Sequence, residues 1–205
     1  SLPYDPERDF TMVGVFGTGG SYMLVRPDAP WRTVADFVAH ARARPGEVVF
    51  GHFNASSQVP GHILNGLAGI DIRPVPYKQI GVAMTDLIGG QIHVLFVDTA
   101  AADTYVSSGQ LRPIAVTRPE RMPKHPNLPA LAETWPEFAV TGFLGMAVPA
   151  GTPPDALQSL NDTINDAISS EPMRSRLEGF GFTPRRMTLA ECAVHVRNER
   201  AKWKR

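Results

Sequence analysis

Residues 72–97 read IRPVPYKQIGVAMTDLIGGQIHVLFV and combine two different hydrophobic patterns. Ile72–Val75 and Ile92–Val97 are short apolar and β-branched runs, which predict strands. Val82–Ile88 lies between them and predicts an amphipathic helix that ends at Gly89-Gly90. Two strands joined by one helix are typical of a βαβ unit, in which the strands run parallel.

The same alternation continues on both sides of this stretch. Further strands are predicted at Val13–Phe16, Tyr22–Val25, Glu47–Phe50 and Leu111–Val116, and further helices at Thr33–Ala43, Ile63–Ala68 and Ala100–Ser107. We therefore predict an α/β fold with a mostly parallel sheet. Gly17 to Gly20 lie between two strands, so they predict a hairpin turn rather than a phosphate-binding loop, which leads into a helix.

The alternation stops at Arg118. Five prolines between Arg118 and Pro136 make a long regular element there improbable, and we expect a packed surface excursion. After a strand at Val140–Val148, the rest of the chain predicts helices.

Composition excludes several classes of function. Twenty basic and twenty acidic residues give the 205-residue chain a formal net charge of zero, and it has no basic stripe for nucleic acid. No apolar run approaches the ~20 residues that a membrane span needs. The single cysteine, Cys192, cannot form an internal disulfide, and we expect it to be buried and inert.

Catalytic and metal sites find little support in the sequence. None of the six histidines has zinc-like spacing, and no CxxC accompanies them. We predict no metal and no cofactor. Ser56 or Ser57 with His62 and Asp98 could form a hydrolase triad, but the G-x-S-x-G elbow is absent.

The segment Gly51–Gln58, GHFNASSQ, is the best candidate for binding. It follows a predicted buried strand and precedes a helix, and ligands of open α/β sheets bind at such strand ends. Free N–H groups and the helix dipole favour anions there. Asn54, Ser56 and Ser57 add neutral donors. The alternative is that these side chains only cap the helix.

Six strings in order resemble the Bug/TctC family of extracytoplasmic solute receptors, which serve tripartite tricarboxylate transporters. The strings are Leu2–Pro6 with Asp9-Phe10 (family LPYDP..DF), Val75–Lys78 (VPYKG), Asp86–Ile92 (DLLGGQVD), Leu111–Thr117 (LRALAVT), Asn127–Pro129 with Glu133 (VPTxxE), and Pro149–Pro154 (PAGTP). The resemblance extends over nearly the whole chain.

The resemblance implies a type II periplasmic-binding-protein fold of two βαβ lobes that close on a small mono- or dicarboxylate without catalysis. Family members carry a further segment before LPYDP, so the first lobe is expected to be incomplete. The segments implied are 1–21 (remnant of lobe 1 and hinge), 22–117 (lobe 2), 118–139 (proline-rich excursion) and 140–205 (hinge and returning helical part of lobe 1).

The resemblance also implies a ligand, a compartment and partners. We expect a periplasmic protein that passes a small organic acid to membrane transporter subunits. Self-association through the face left by the missing segment is a further expectation. The main alternative is the cytoplasmic effector-sensing domain of a LysR-type regulator, which shares the fold, and a serine hydrolase is the second.

The predicted ligand-binding residues are Asn54, Ala55, Ser56, Ser57, Tyr77, Asp98 and Thr99. Two departures from the family pattern accompany them. The loop after the strand has fewer glycines than the family's GSxGxGSxxH, and Asp98 lies one place later than the family's aspartate. A one-residue shift in a strand turns a side chain to the other face. For Tyr77, the alternative is a core ring with a satisfied hydroxyl. For Asp98, it is an N-cap of the helix that follows.

Overall fold

The computed structural model describes residues 3–138 and 140–203. In chain order the strands are β1 (Phe10–Gly19), β2 (Ser21–Val25), β3 (Val49–His52), β4 (Arg73–Pro76), β5 (Val94–Asp98), β6 (Arg112–Val116) and β7 (Gly142–Pro149). The helices are α1 (Val34–Ala43), α2 (Ala55–Ala68), α3 (Ile80–Ile88), α4 (Thr99–Ser107), α5 (Pro154–Ser169), α6 (Glu171–Gly179) and α7 (Leu189–Trp203), with a 3₁₀ turn at Leu131–Glu133.

The chain forms two compact units. The sheet unit is Gly19–Gly142, and the terminal unit joins residues 3–18 to residues 143–203. The predicted segments 1–21, 22–117, 118–139 and 140–205 describe lobes and hinges, and they stay a prediction. Residues 1, 2, 139, 204 and 205, including Leu2 of the first family string, lie outside the described residues.

The sheet unit is built on five strands in the order β4-β3-β5-β2-β6. β3 runs parallel to β4 and β5, whereas β2 runs antiparallel to β5 and β6. Four strands therefore share one direction and β2 opposes them. The α/β prediction is confirmed, and the sheet is mixed.

Helices cover both faces of this sheet because the side chains of a strand alternate between faces. Met23 and Phe96 pack on one side with Phe37 of α1. Leu24 and Leu95 pack on the other side with residues of α3 and α4. The central strands β2 and β5 are therefore buried on both faces, which explains why their sequences are continuous apolar runs.

The hairpin prediction for Gly17 to Gly20 is wrong. β1 pairs with β7, and β2 belongs to the five-stranded sheet, so the chain passes here from one unit to the other. No glycine of this stretch has a positive φ. Gly17 instead permits a close approach, because a Cβ there would lie 2.9 Å from the carbonyl oxygen of Thr183.

The proline-rich segment packs against the five-stranded sheet. Leu131 and Phe138 are 1% and 0% exposed, and the Val116 amide donates to the carbonyl of Pro129 at 2.9 Å.

In the terminal unit, α5 packs against β1. The buried Asn161 amide donates to the carbonyls of Val13 (2.8 Å) and Met187 (2.9 Å). None of the helices in the described ranges is long and apolar enough to cross a membrane.

Candidate functional site

The carboxyl ends of three parallel strands meet at one edge of the sheet unit. β4 ends before Tyr77, β3 ends at His52 and β5 ends at Asp98. The antiparallel β2 begins at the same edge, because Ser21 is the register partner of Asp98. All seven predicted ligand-binding residues follow or end these strands, so the fold collects them along one edge.

Asn54 and Ser57 form a reciprocal cap at the start of α2. The Asn54 Oδ1 atom accepts from the Ser57 amide at 2.9 Å, and the Ser57 Oγ atom accepts from the Asn54 amide at 3.1 Å. The same Oγ atom accepts from the Phe53 amide at 2.9 Å, and Ser57 is 1% exposed. Such a box satisfies helix N-terminal donors that otherwise lack partners.

Two of the four amides predicted to face a ligand are therefore used within the protein, those of Asn54 and Ser57. Ala55 and Ser56 occupy the first two positions of α2, where an N–H has no intrahelical acceptor. No acceptor for either amide is found among the described residues. Ala55 is exposed and Ser56 is half-buried. The cap therefore uses the amides of Asn54 and Ser57, and the two amides between them are left without an acceptor in the part of the chain that the structure describes.

Gly51 and Tyr77 pack closely together beside this turn. A Cβ at Gly51 would lie 2.6 Å from Ile92 Cδ1 and 3.1 Å from the Tyr77 ring, so only glycine lets the ring pack this close. The Tyr77 hydroxyl donates to Asp86 Oδ2 at 2.8 Å. Burial, together with the hydrogen bond and charge of Asp86, raises the pKa of Tyr77 to about 12. Tyr77 is thus a half-buried ring with a satisfied, protonated hydroxyl.

Asp98 lies at the start of α4 but does not cap it, since its side chain makes no hydrogen bond to the first turn of the helix. Its exposed carboxylate accepts from the Ser21 hydroxyl at 3.3 Å. Thr99 is buried, and its amide donates to the carbonyl of Gly20 at 3.2 Å. Asp98 is therefore presented to solvent at the sheet edge.

The hydrolase arrangement is not assembled. The Ser57 hydroxyl is buried and bonds to Asn54 and Phe53. His62 is exposed and lies edge-to-face on Phe50, with ring centroids 5.6 Å apart. Nowhere in residues 3–138 and 140–203 do three or more His, Cys, Asp or Glu side chains gather in a way that could hold a metal ion.

The sequence analysis did not identify two residues at this edge, Thr117 and Arg118. Buried Thr117 accepts from the Ser21 amide at 2.9 Å and donates to the Val140 carbonyl at 2.8 Å, and so joins three distant segments. Arg118 follows it, and burial lowers the pKa of its guanidinium. The sequence Thr117-Arg118-Pro119 directly after an apolar strand could have suggested a half-buried cation at the end of β6.

Comparison with known proteins gives a consistent family. A family model described as "Tripartite tricarboxylate transporter family receptor" matches residues 1–205. The protein BugT of Bordetella pertussis is 29% identical over 208 residues, which cover 99% of this chain and 63% of BugT. The chain spans about three fifths of the length of the curated relatives it matches.

Two solved structures have a closely similar fold and carry acids. Rpa4515 of R. palustris with adipate matches with a TM-score of 0.91 and 29% identity, over 100% of this chain and 69% of that one. MatC of Rhodopseudomonas palustris with bound malate matches with a TM-score of 0.83 and 25% identity, over 99% and 71%. The predicted periplasmic-binding-protein fold is confirmed.

Proposed function

This chain belongs to the tripartite tricarboxylate transporter receptor family, as its sequence strings indicated, and from this premise we propose that it reversibly binds a small mono- or dicarboxylate. The protein acts in the periplasm and delivers the acid to membrane transporter subunits. Binding involves no catalysis and no cofactor.

The observation that carries the proposal is the pair of unpartnered amides of Ala55 and Ser56 at the carboxyl edge of the sheet. A carboxylate has two acceptor oxygens, and two adjacent N–H groups at a helix N-terminus match them. The helix dipole adds about 0.3–1 kcal/mol for an anion at this position. The acids bound by Rpa4515 and MatC, adipate and malate, are of this chemical class.

Each of the other residues of the edge has a role in this proposal. Asn54 and Ser57 hold the turn rigid through their reciprocal cap, so the free amides are oriented before the ligand arrives. Tyr77 supports Gly51 with its ring. Asp98 repels a second carboxylate placed beside it and instead accepts from a ligand hydroxyl or a bridging water, while Thr99 positions Asp98 by fixing the start of α4.

The absence of catalysis is supported by the state of the serine. A nucleophilic serine needs an adjacent base and an exposed hydroxyl, whereas Ser57 is 1% exposed and its hydroxyl serves the helix cap. No observation favours the regulator or the hydrolase.

Isothermal titration of the chain with adipate and with malate tests the proposal. We expect saturable binding of at least one acid with a Kd below about 1 mM, a binding free energy beyond roughly −4 kcal/mol. The matched control is adipamide, which keeps the carbon chain of adipate but carries no charge, and we expect no binding. Equal affinity for the acid and the diamide, or no binding of either acid, would contradict the proposal.

A further inference from the structure

A small cavity lies at the opposite edge of the five-stranded sheet. β2 ends there at Val25, and β5 begins there at Val94. The cavity has a volume of about 110 Å³ and is lined by Arg26, Ala29, Pro30, Trp31, Gly90, Ile92 and His93. Since one water molecule takes ~30 Å³ in the liquid, the space holds a group of a few non-hydrogen atoms.

The Trp31 indole contributes a buried donor without an acceptor. Trp31 is 4% exposed, and its Nε1 atom has no hydrogen-bond partner among the described residues. An indole nitrogen can only donate, and a buried donor that lacks an acceptor destabilises the fold. A hydrogen-bond acceptor placed next to Trp31 Nε1 would therefore stabilise the protein.

His93 supplies a second donor because its tautomer is determined by the backbone. The Val49 amide donates to His93 Nδ1 at 3.0 Å, so the single proton of the neutral ring resides on Nε2. Burial, followed by the charges of His40 and Arg26, lowers the pKa of His93. The ring is therefore neutral near pH 7 and donates through Nε2.

Arg26 supplies the third donor and the charge. Its Nε and Nη2 atoms pair with the carboxylate of Asp28 at 3.0 and 3.1 Å. Its Nη1 atom points to Gly90, where a Cβ would lie only 2.5 Å away. Gly90 has a φ of +76°, so glycine is favoured there for two reasons. Arg26 Nη1 thus lies against Gly90, and both residues line the cavity.

Three carbonyls of the surrounding loop are already occupied. Arg112 donates to the carbonyl oxygens of Pro27 (2.7 Å), Ala29 (3.2 Å) and Trp31 (2.8 Å). This arrangement uses the acceptors of the loop and adds a second guanidinium nearby. These three carbonyls therefore accept from Arg112, and the Trp31 indole remains without an acceptor among the residues that the structure describes.

We propose that this cavity binds a small anion the size of a single carboxylate group, held by Trp31 Nε1, His93 Nε2 and Arg26 Nη1. The site is independent of the edge that carries Ala55 and Ser56, because it uses the opposite ends of the strands. Its occupant completes the hydrogen bonding of Trp31 and stabilises the loop between β2 and α1.

Formate is a suitable probe, and the indole proton of Trp31 is a local reporter. We expect sodium formate to move the Trp31 indole ¹H resonance downfield in a saturable manner, since hydrogen bonding to an anion deshields that proton. The Trp135 indole of the same unit reports the general effect of salt and should not follow the same curve. A Trp31→Phe variant assigns the resonance.

The Arg26→Gln variant should weaken formate binding roughly tenfold, the effect of losing a charge-assisted hydrogen bond. Arg176→Gln, which changes an exposed arginine of the terminal unit, is the matched control and should bind as the parent does. Formate should also raise the pKa of His93 in the parent, because a bound anion favours the protonated ring. Arg26→Gln should leave adipate titration unchanged, which separates this site from the proposed receptor site.

An unsaturable Trp31 shift, or an identical curve in Arg26→Gln, would overturn the anion site. Neither result would bear on the binding of acids at Ala55 and Ser56.

Discussion

Replacing Ala55 with proline removes one backbone N–H from the proposed carboxylate site and leaves the helix intact. Ala55 is the first residue of α2, where proline is well tolerated because that N–H has no intrahelical acceptor. Proline also requires an extended residue before it, and Asn54 has φ −159° and ψ 179°. The variant therefore changes a donor without disturbing the backbone around it.

The magnitude follows from the number of hydrogen bonds lost. One N–H to a carboxylate contributes about 1.5–3 kcal/mol, so affinity for adipate or malate should fall roughly 10- to 150-fold. The free energy of unfolding should change by less than about 1 kcal/mol, because proline in a compatible conformation is neutral or mildly stabilising. Binding and stability are thus expected to separate.

Calorimetric titration measures the affinity, and urea unfolding followed by circular dichroism measures the stability. Ala55→Ser is the matched control, since it alters the same position and keeps the N–H. If Ala55→Pro binds the acid as tightly as Ala55→Ser while both are folded, the Ala55 amide does not contact the ligand, and the reasoning on this turn fails.

Two further predictions concern the packing around the same edge. Burial and Asp86 raise the pKa of Tyr77 to about 12, above its value of about 10 in an unfolded chain, so the folded state loses stability as pH rises from 10 to 12. Tyr77→Phe should lower the free energy of unfolding at pH 7 by about 1 kcal/mol and make this alkaline loss of stability smaller. Urea unfolding at several pH values measures both effects, and an unchanged alkaline loss would contradict the assignment. In α2, a Cβ at Gly61 would lie 2.5 Å from the Phe50 ring, whereas one at Gly66 meets nothing within 4 Å. Gly61→Ala should therefore destabilise the protein by about 1–3 kcal/mol, and Gly66→Ala should stabilise it by about 0.5–1 kcal/mol. Thermal melts that rank the two alanine variants in the opposite order would refute the packing described for α2.

The predicted binding turn shows how much the local sequence can predict about a site. The sequence Asn54-Ala55-Ser56-Ser57 allowed both an anion site and a helix cap, because Asn and Ser serve both purposes. The structure contains the cap, and the cap leaves the two intervening amides unpaired. The local sequence could identify the possible donors. Which amides the cap uses, and which it leaves unpaired, depended on where the side chains of Asn54 and Ser57 point.

The glycines between β1 and β2 show where such reasoning stops. Gly17 to Gly20 read as a hairpin because two strands follow each other closely, yet the strands join different sheets. Turn residues report a local change of direction or a close approach, and here the close approach to Thr183 explains Gly17. Nothing within a few residues of this position records which strand is the neighbour.

Periodicity, caps and most helix ends depend on residues within about one turn or one strand, and these were readable from the chain alone. So were the α/β class and the family, since the strings that carry them are contiguous. The start of α2 was predicted wrongly, because the sequence placed this helix at Ile63–Ala68 and it begins at Ala55. The antiparallel direction of β2, the contact of Ser21 with Thr117 across 96 positions, and the cavity that Trp31 and His93 share all needed the folded chain. Such contacts form when buried strands and helices pack together. Which elements become neighbours depends on residues far apart in the chain, so the nearby sequence contains no pattern that predicts it.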